Sequence, residues 1–205
     1  AAGAGNLGGN NGVTTSNTSW SHTSAGGTGT TVVVLVGWFC DATGQVAAAT
    51  RTVTYGGVAM TPLALEVSSD GRLGYQAFYL QTPDAGTKTV TATITASASC
   101  ALRVVGNSLS FNGTTVTPTK ASANGGTAAP SVSVTSSASS AVACGFGIWG
   151  STTYATVPTT QVGTELYNTL LCRWFYKSGV SPTTTFSGTL NASPNWLAYT
   201  VFLEP

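Results

Sequence analysis

Apolar and polar residues alternate with a period of two along most of this chain. In the run TKTVTATIT, residues 87–95, valine, alanine and isoleucine share one face and threonines share the other. This alternation is typical of an antiparallel strand with one face towards a core and one towards solvent. We expect further strands at Val32–Phe39, Leu73–Gln81, Ala101–Phe111, Ser131–Thr135, Ala141–Trp149, Leu170–Lys177 and Asn195–Leu203.

The turn residues agree with this pattern. Gly56-Gly57 predicts a two-residue hairpin loop of the kind that needs positive φ, and Pro83–Gly86 predicts a second hairpin. Residues 112–130 are expected to form an exposed loop or a short edge strand, and residues 160–169 a turn at most. About ten antiparallel strands without a long helix predict an all-β fold, a two-sheet, jelly-roll-like β-sandwich.

The domain organisation is predicted to be one sandwich, residues 13–205, behind a flexible amino-terminal arm, residues 1–12. The arm, AAGAGNLGGNNG, offers too little apolar surface to order itself. It is either a disordered terminus or a segment that becomes ordered against a neighbouring subunit. In the second case its attachment residues would be Asn6, Leu7, Asn10 and Asn11.

Charge is scarce and balanced. The 205 residues include 7 Lys or Arg and 6 Asp or Glu, so 6% are charged and the formal net charge is +1. Average domains carry about 25% charged residues. Such a surface cannot neutralise a run of phosphates, which argues against nucleic acid as a partner. The longest apolar run, Val32–Cys40, is far shorter than the roughly 20 residues of a membrane span, so no membrane partner is expected.

Few residues are able to carry catalysis, and we expect no enzyme. A nucleophilic triad would have to use His22, which is expected in an exposed loop, and no GxSxG motif accompanies it. A glycosidase pair of carboxylates would have to be Glu66 and Glu165, which only the unknown fold could bring together. No catalytic residue is therefore assigned.

Metal and cofactor motifs are also missing from the sequence, and none is expected to bind. The four cysteines lack CxxC spacing, and there is no calcium loop or phosphate loop. Disulfides and buried thiols are both compatible with the cysteines, which are Cys40, Cys100, Cys144 and Cys172.

Aromatic residues offer one route to binding, because sugars stack on exposed rings. Trp20 and Tyr154 lie in polar, loop-like surroundings and are the candidates for glycan stacking. The alternative for these rings is core or interface packing, as expected for the tryptophans inside predicted strands.

The order of motifs resembles a known family. TVTYGGVAMTPL (residues 52–63) is followed by LGYQAFYLQTPDAGTKTVTATIT (73–95), CALRVVGNSLSFNG (100–113) and a closing NWLAYTVFLEP (195–205). This succession looks like a jelly-roll domain that recurs in virion structural proteins of tailed bacteriophages and in some bacterial surface proteins. The match covers about residues 32–205. The resemblance implies a capsid decoration, head-fibre or tail-associated protein and no catalytic residues.

Three functions remain open on the sequence. The leading hypothesis is a non-enzymatic capsid decoration (minor capsid) protein that forms a homo-oligomer, binds the major capsid protein or another virion protein, and resides in the virion. A carbohydrate-binding or adhesion module on a phage tip or bacterial surface, with a cell-surface glycan as partner, is the second. A subunit of an extracellular filament is the third.

Overall fold

A computed structural model describes residues 2–114, 117–150, 153–156, 161–167 and 170–205, with the backbone alone for residues 2–13 and 161–167. It is nearly all strand, with one short helix, α1 (Gln45–Ala48). The strands are β1 (Ala2–Ser24), β2 (Thr30–Phe39), β3 (Thr50–Tyr55), β4 (Val58–Ala59), β5 (Thr61–Pro62), β6 (Glu66–Val67), β7 (Leu73–Gln81), β8 (Gly86–Asn112), β9 (Thr119–Gly125), β10 (Ser131–Thr135), β11 (Ala141–Trp149), β12 (Tyr154–Thr156), β13 (Gln161–Tyr167), β14 (Leu170–Ser178), β15 (Thr183–Ser187), β16 (Thr189–Leu190) and β17 (Trp196–Leu203).

Two principal sheets organise these strands, and every pairing between them is antiparallel. Sheet A has the order β4-β3-β8-β2-β7-β5, with β1 added to β8 and β6 added to β7. Sheet B has the order β13-β14-β11-β17-β9. Two ribbons, β10-β15 and β12-β16, complete the described structure. The predicted all-β, antiparallel fold is confirmed.

Strand β8 is long enough to serve two parts of sheet A. Its first half pairs with β3 from Val90 to Thr95, and its second half pairs with β2 from Arg103 to Asn112. Trp20 of β1 lies opposite Val90 in the first half, yet its indole N–H donates to Ser108 in the second half, at 2.8 Å. The two halves therefore face each other, and sheet A curves around an enclosed core.

Three apolar cores result from this arrangement. The first fills the curve of sheet A, the second lies between sheets A and B, and the third lies between sheet B and the two ribbons. All ten residues of β2 are buried because alternate side chains enter the first core and the second. This explains the unbroken apolar run, since a strand covered on both faces needs no polar face.

Some connections differ from the sequence-based predictions. The Gly56-Gly57 hairpin is confirmed, with φ of 58° and 85°. Pro83–Gly86 was expected to close a hairpin, but β2 lies between β7 and β8, so these consecutive strands do not pair. Within residues 112–130, β9 forms an edge strand of sheet B. The backbone of Gln161–Tyr167 is also a strand and not a turn.

The arm region differs as well. The backbone of β1 pairs with β8 from Ala2, opposite Leu109, to Asn10, opposite Leu102. A β-ladder is made by main-chain groups, so a sequence rich in Gly and Ala can pair without contributing apolar side chains. The side chains of Asn6, Leu7, Asn10 and Asn11 lie outside the described residues, and their attachment role stays a prediction.

One disulfide links two neighbouring strands of sheet A at the end of their pairing. Cys40, which follows β2, is bonded to Cys100 of β8 across 60 residues of sequence, with 5.7 Å between the Cα atoms. A loop of this length corresponds to roughly 4 kcal/mol of stabilisation in the chain-entropy model. Cys144 and Cys172 are buried and are not part of a disulfide. The four cysteines therefore combine the two alternatives that the sequence leaves open.

Glycines make room for aromatic rings between the sheets. The ring of Tyr75 is fully buried, and a Cβ at Gly145 would lie 2.5 Å from its hydroxyl oxygen. Gly106 makes room in the same way for Trp20 in the first core, inside the curve of sheet A, because a Cβ there would lie 2.6 Å from the indole. At both positions the ring fits against the backbone only because glycine has no side chain.

We expect Gly145→Ala to lower the free energy of unfolding by about 2 kcal/mol, the cost of forcing an extra methyl group into a filled core. Urea unfolding measures the change. Gly126→Ala is the matched control, because a Cβ there meets Asn195 at an ordinary 3.5 Å. Equal stability of the two variants would contradict the close fit between Gly145 and Tyr75.

A buried histidine links β1 to β8. His22 is 1% exposed, with Nδ1 2.9 Å from the Ser108 hydroxyl and Nε2 2.6 Å from the Ser110 hydroxyl. Burial, the main cause, lowers the pKa of His22 to about 4 from its ordinary 6.5. The imidazole is therefore neutral in the folded protein over the range in which the unfolded chain takes up a proton.

We expect the free energy of unfolding to be largest above pH 6.5 and to fall as the pH drops towards 4. The reason is that His22 binds a proton in the unfolded chain over this range but not in the folded protein. At about 1.4 kcal/mol per pKa unit, the loss is about 3 kcal/mol. Urea unfolding from pH 8 to 4 measures it. His22→Gln, which cannot titrate, should show a clearly shallower slope between pH 6.5 and 5, and an unchanged slope would refute this account of His22.

Candidate functional site

The outer face of sheet A presents a regular array of small hydroxyl side chains across three adjacent strands. Alternation directs one set of side chains of β1, β8 and β3 into the first core and the other set outwards. We call the outward set the threonine face. Its members are Thr15, Asn17, Ser19, Ser21 and Thr23 of β1, Thr87, Thr89, Thr91, Thr93 and Thr95 of β8, and Thr50, Thr52 and Thr54 of β3.

The pairing register aligns these side chains in rows across the strands. Thr95 lies between Thr15 and Thr50, and the next rows continue the pattern with Thr93 and Thr91 at their centres. Strands in a sheet lie about 4.8 Å apart and alternate residues about 6.8 Å apart, so the hydroxyls form a two-dimensional lattice. The hydroxyls of Thr15 and Thr95, two neighbours in the first row, are hydrogen-bonded at 3.2 Å.

No member of the threonine face is charged. The basic residues of the same strands are held elsewhere. Arg51 donates to the Ala47 carbonyl and lies over Trp38, Lys88 pairs with Asp84 at 3.9 Å, and Arg103 donates to the Ala101 carbonyl at 2.9 Å. Neutral hydroxyls cost less to desolvate than charges do, and they both donate and accept hydrogen bonds. The face is chemically suited to contact another polar protein surface without electrostatic selection.

The acidic residues are held by separate partners. Glu66 forms an ion pair with Lys120, and Glu204 accepts hydrogen bonds from Ser137 and Ser140. Asp41 accepts from the backbone of Ala101 at 2.7 Å. The side chain of Glu165 lies outside the described residues, so its predicted meeting with Glu66 stays untested.

The Asp70 carboxylate accepts hydrogen bonds that hold the chain together. Burial tends to raise its pKa, but hydrogen bonds from Ser68, Asn195 and the backbone of Arg72 outweigh burial and lower the pKa of the carboxyl. The bond from Asn195 ties the turn after β6 to the segment before β17. Asp70 therefore joins the two sheets as a stable carboxylate.

The position of His22 corrects the expectation of an exposed loop histidine. It lies within β1, it is buried, and serine hydroxyls occupy both nitrogens. No carboxylate among the described residues hydrogen-bonds to it, so the arrangement lacks the acid that orients a triad histidine.

The two glycan-stacking candidates are corrected too. Trp20 and Tyr154 are each 8% exposed, in the first and third cores respectively. The Tyr154 ring lies beneath the Arg173 guanidinium, at 4.6 Å. The surroundings looked polar because β1 alternates, with polar residues on the solvent side and Trp20 on the core side. The segment NTSWSHT gives no periodic signal that places Trp20 inside, because Thr18 and His22, which are buried on the same side of β1, are themselves polar.

Among the described residues, one group of three metal-ligating side chains lies together: Cys40, Asp41 and Cys100, with ligand atoms within 4.8 Å of one another. The two sulfurs are bonded to each other, which leaves a single carboxylate as a ligand. Beside this group is an open cleft of about 680 Å³ that Arg103 and Trp149 also line. This donor set does not fit a metal ion.

In the part of the chain that the structure describes, no helix is long and apolar enough to cross a membrane.

Comparisons with known proteins assign this chain to no family. No protein-family model matches the sequence, and no curated protein matches it. Among solved structures, an anti-sigma factor domain-containing protein aligns with 92% of this chain and 75% of its own, at 8% identity and a TM-score of 0.22. A similarity of this size carries no conclusion about fold or function.

Proposed function

We propose that this chain is a non-enzymatic structural protein of a bacteriophage particle, a capsid decoration (minor capsid) protein. Its partners are copies of itself and the major capsid protein or another virion protein. It is assembled in the host cytoplasm and exposed on the finished particle. The proposal rests on the succession of motifs that resembles phage virion jelly rolls and on one structural observation, the threonine face.

The threonine face supports a role in passive assembly. Thirteen neighbouring side chains without a charge repel neither a second copy nor a neutral lattice, so copies can sit side by side at high local concentration. The contact would be polar and flat, as expected of a protein that is stable before it attaches. The scarcity of charge in the whole chain, 6% of residues, favours the same conclusion.

The edges of the sheets support attachment by strand pairing. β1 is paired to β8 along one side only in the described structure, and β9 and β13 end sheet B. Unpaired strand edges invite pairing with another chain. Pairing at the second edge of β1, together with the threonine face beside it, would place both contacts on one side of the molecule.

The direct test is immunogold electron microscopy of particles from the native source, with antibody raised against this chain. We expect gold on the outside of intact phage particles at regularly repeated positions. Labelling of helical filaments without a capsid would favour the filament hypothesis instead. Label confined to soluble host material would contradict a virion role.

We expect Thr52→Lys together with Thr93→Lys to leave folding intact and to reduce incorporation into particles at least tenfold, since two buried charges in an interface cost several times the 1.4 kcal/mol of one decade. Quantitative mass spectrometry of purified particles measures incorporation, and circular dichroism checks the fold. Thr183→Lys together with Thr185→Lys, two exposed threonines on β15, is the matched control. Equal incorporation of both proteins would remove the threonine face as the attachment surface.

A further inference from the structure

A second cleft, of about 460 Å³, opens where the end of β8 meets sheet B. One wall is formed by residues 109–112 of β8. The other is formed by Tyr176 and Ser178 of β14 and by residues 138–141, which lead into β11. Its volume lies within the roughly 300–1,000 Å³ of small-molecule sites. The cleft shares no residue with the threonine face.

Two aromatic rings form the apolar part of this cleft. Phe111 and Tyr176 lie with ring centroids 5.7 Å apart and planes tilted by 45°. Phe111 is buried and supports Tyr176, which is half-buried and keeps part of its ring open to the cleft. A supported, partly exposed phenol ring is a suitable platform for the C–H face of a ligand ring.

Uncharged hydrogen-bonding groups surround the rings. Ser139 and Ser178 are exposed, and Ser140 is oriented by Glu204, to which its hydroxyl donates at 3.1 Å. The amide oxygen of Asn112 accepts from Thr30 at 3.2 Å, which leaves the amide Nδ2 as a donor. Short hydroxyls and an amide at the edge of an aromatic ring match a ligand that carries many hydroxyl groups.

The electrostatics of the cleft select against charged ligands. None of its ten lining residues carries a charge. A sulfate, phosphate or carboxylate group would find no cation, and an ammonium group would find no open carboxylate, because Glu204 is engaged by Ser137 and Ser140. We propose that this cleft binds a neutral saccharide, with a sugar ring on Tyr176 and its hydroxyls bound by Ser139, Ser178 and Asn112.

The experiment uses the full chain on a printed array of neutral, sialylated and sulfated oligosaccharides, followed by titration calorimetry with the best neutral saccharide. We expect binding to neutral saccharides alone. Tyr176→Ala should weaken binding about tenfold or more through loss of the ring platform, whereas Tyr176→Phe should retain most of it. Tyr79→Ala, another half-buried tyrosine that lies outside the cleft, is the matched control and should bind as the parent does.

A second variant protects the test against simple unfolding. Ser139 is exposed in the loop before β11, so Ser139→Trp should fold normally and block the cleft. Binding that survives both Tyr176→Ala and Ser139→Trp, a preference for acidic glycans, or an array without any signal would each overturn the proposal. Because the array uses the isolated chain, its outcome is independent of whether the chain is found on virus particles.

Discussion

The architecture depends on strand β8, whose two halves pair with different strands and cover different cores. Its first half carries the threonine face outwards and the first core inwards, and its second half separates the first core from the second. The contact between Trp20 and Ser108 connects the two halves through β1, and the Cys40–Cys100 bond fixes the junction between the halves to the end of β2. A strand that is covered on both faces in one half and solvated on one face in the other links the interior of the protein directly to its candidate attachment surface.

Polarity without charge is the second theme of the structure. Some buried polar groups are paired with one another, as in the chain of contacts from Trp20 through Ser108 to His22, and the ionic side chains are few. A neutral surface gives weak long-range repulsion and little long-range steering. Both the threonine face and the cleft at Tyr176 are therefore suited to short-range contacts, which agrees with the roles proposed for them.

The threonine face could be predicted in part from the sequence, whereas the cleft at Tyr176 could not. The alternation in residues 87–95 placed threonines on a solvent face, and the same period in TRTVTY extends that face to β3 once the pairing is known. The extension to β1 comes from its pairing with β8 and from no pattern in its sequence. The sequence gives no local signal for the cleft at Tyr176, because its walls come from three strands that are far apart in the chain. Residues 113–140 separate β8 from β11, and residues 150–169 separate β11 from β14. The exposed-ring candidates failed because exposure of Trp20 and Tyr154 is decided by which core covers them.

The sequence by itself determined the all-β class, the positions of most strands and the Gly56-Gly57 turn, since two-residue periodicity and positive-φ glycines act locally. Only the tertiary structure decided that β2 separates β7 from β8, that Cys40 meets Cys100 and that residues 2–10 pair with β8. Strand order and cysteine pairing depend on contacts between residues far apart in the chain. Those contacts are chosen by the joint fit of three cores, and no local pattern encodes that fit.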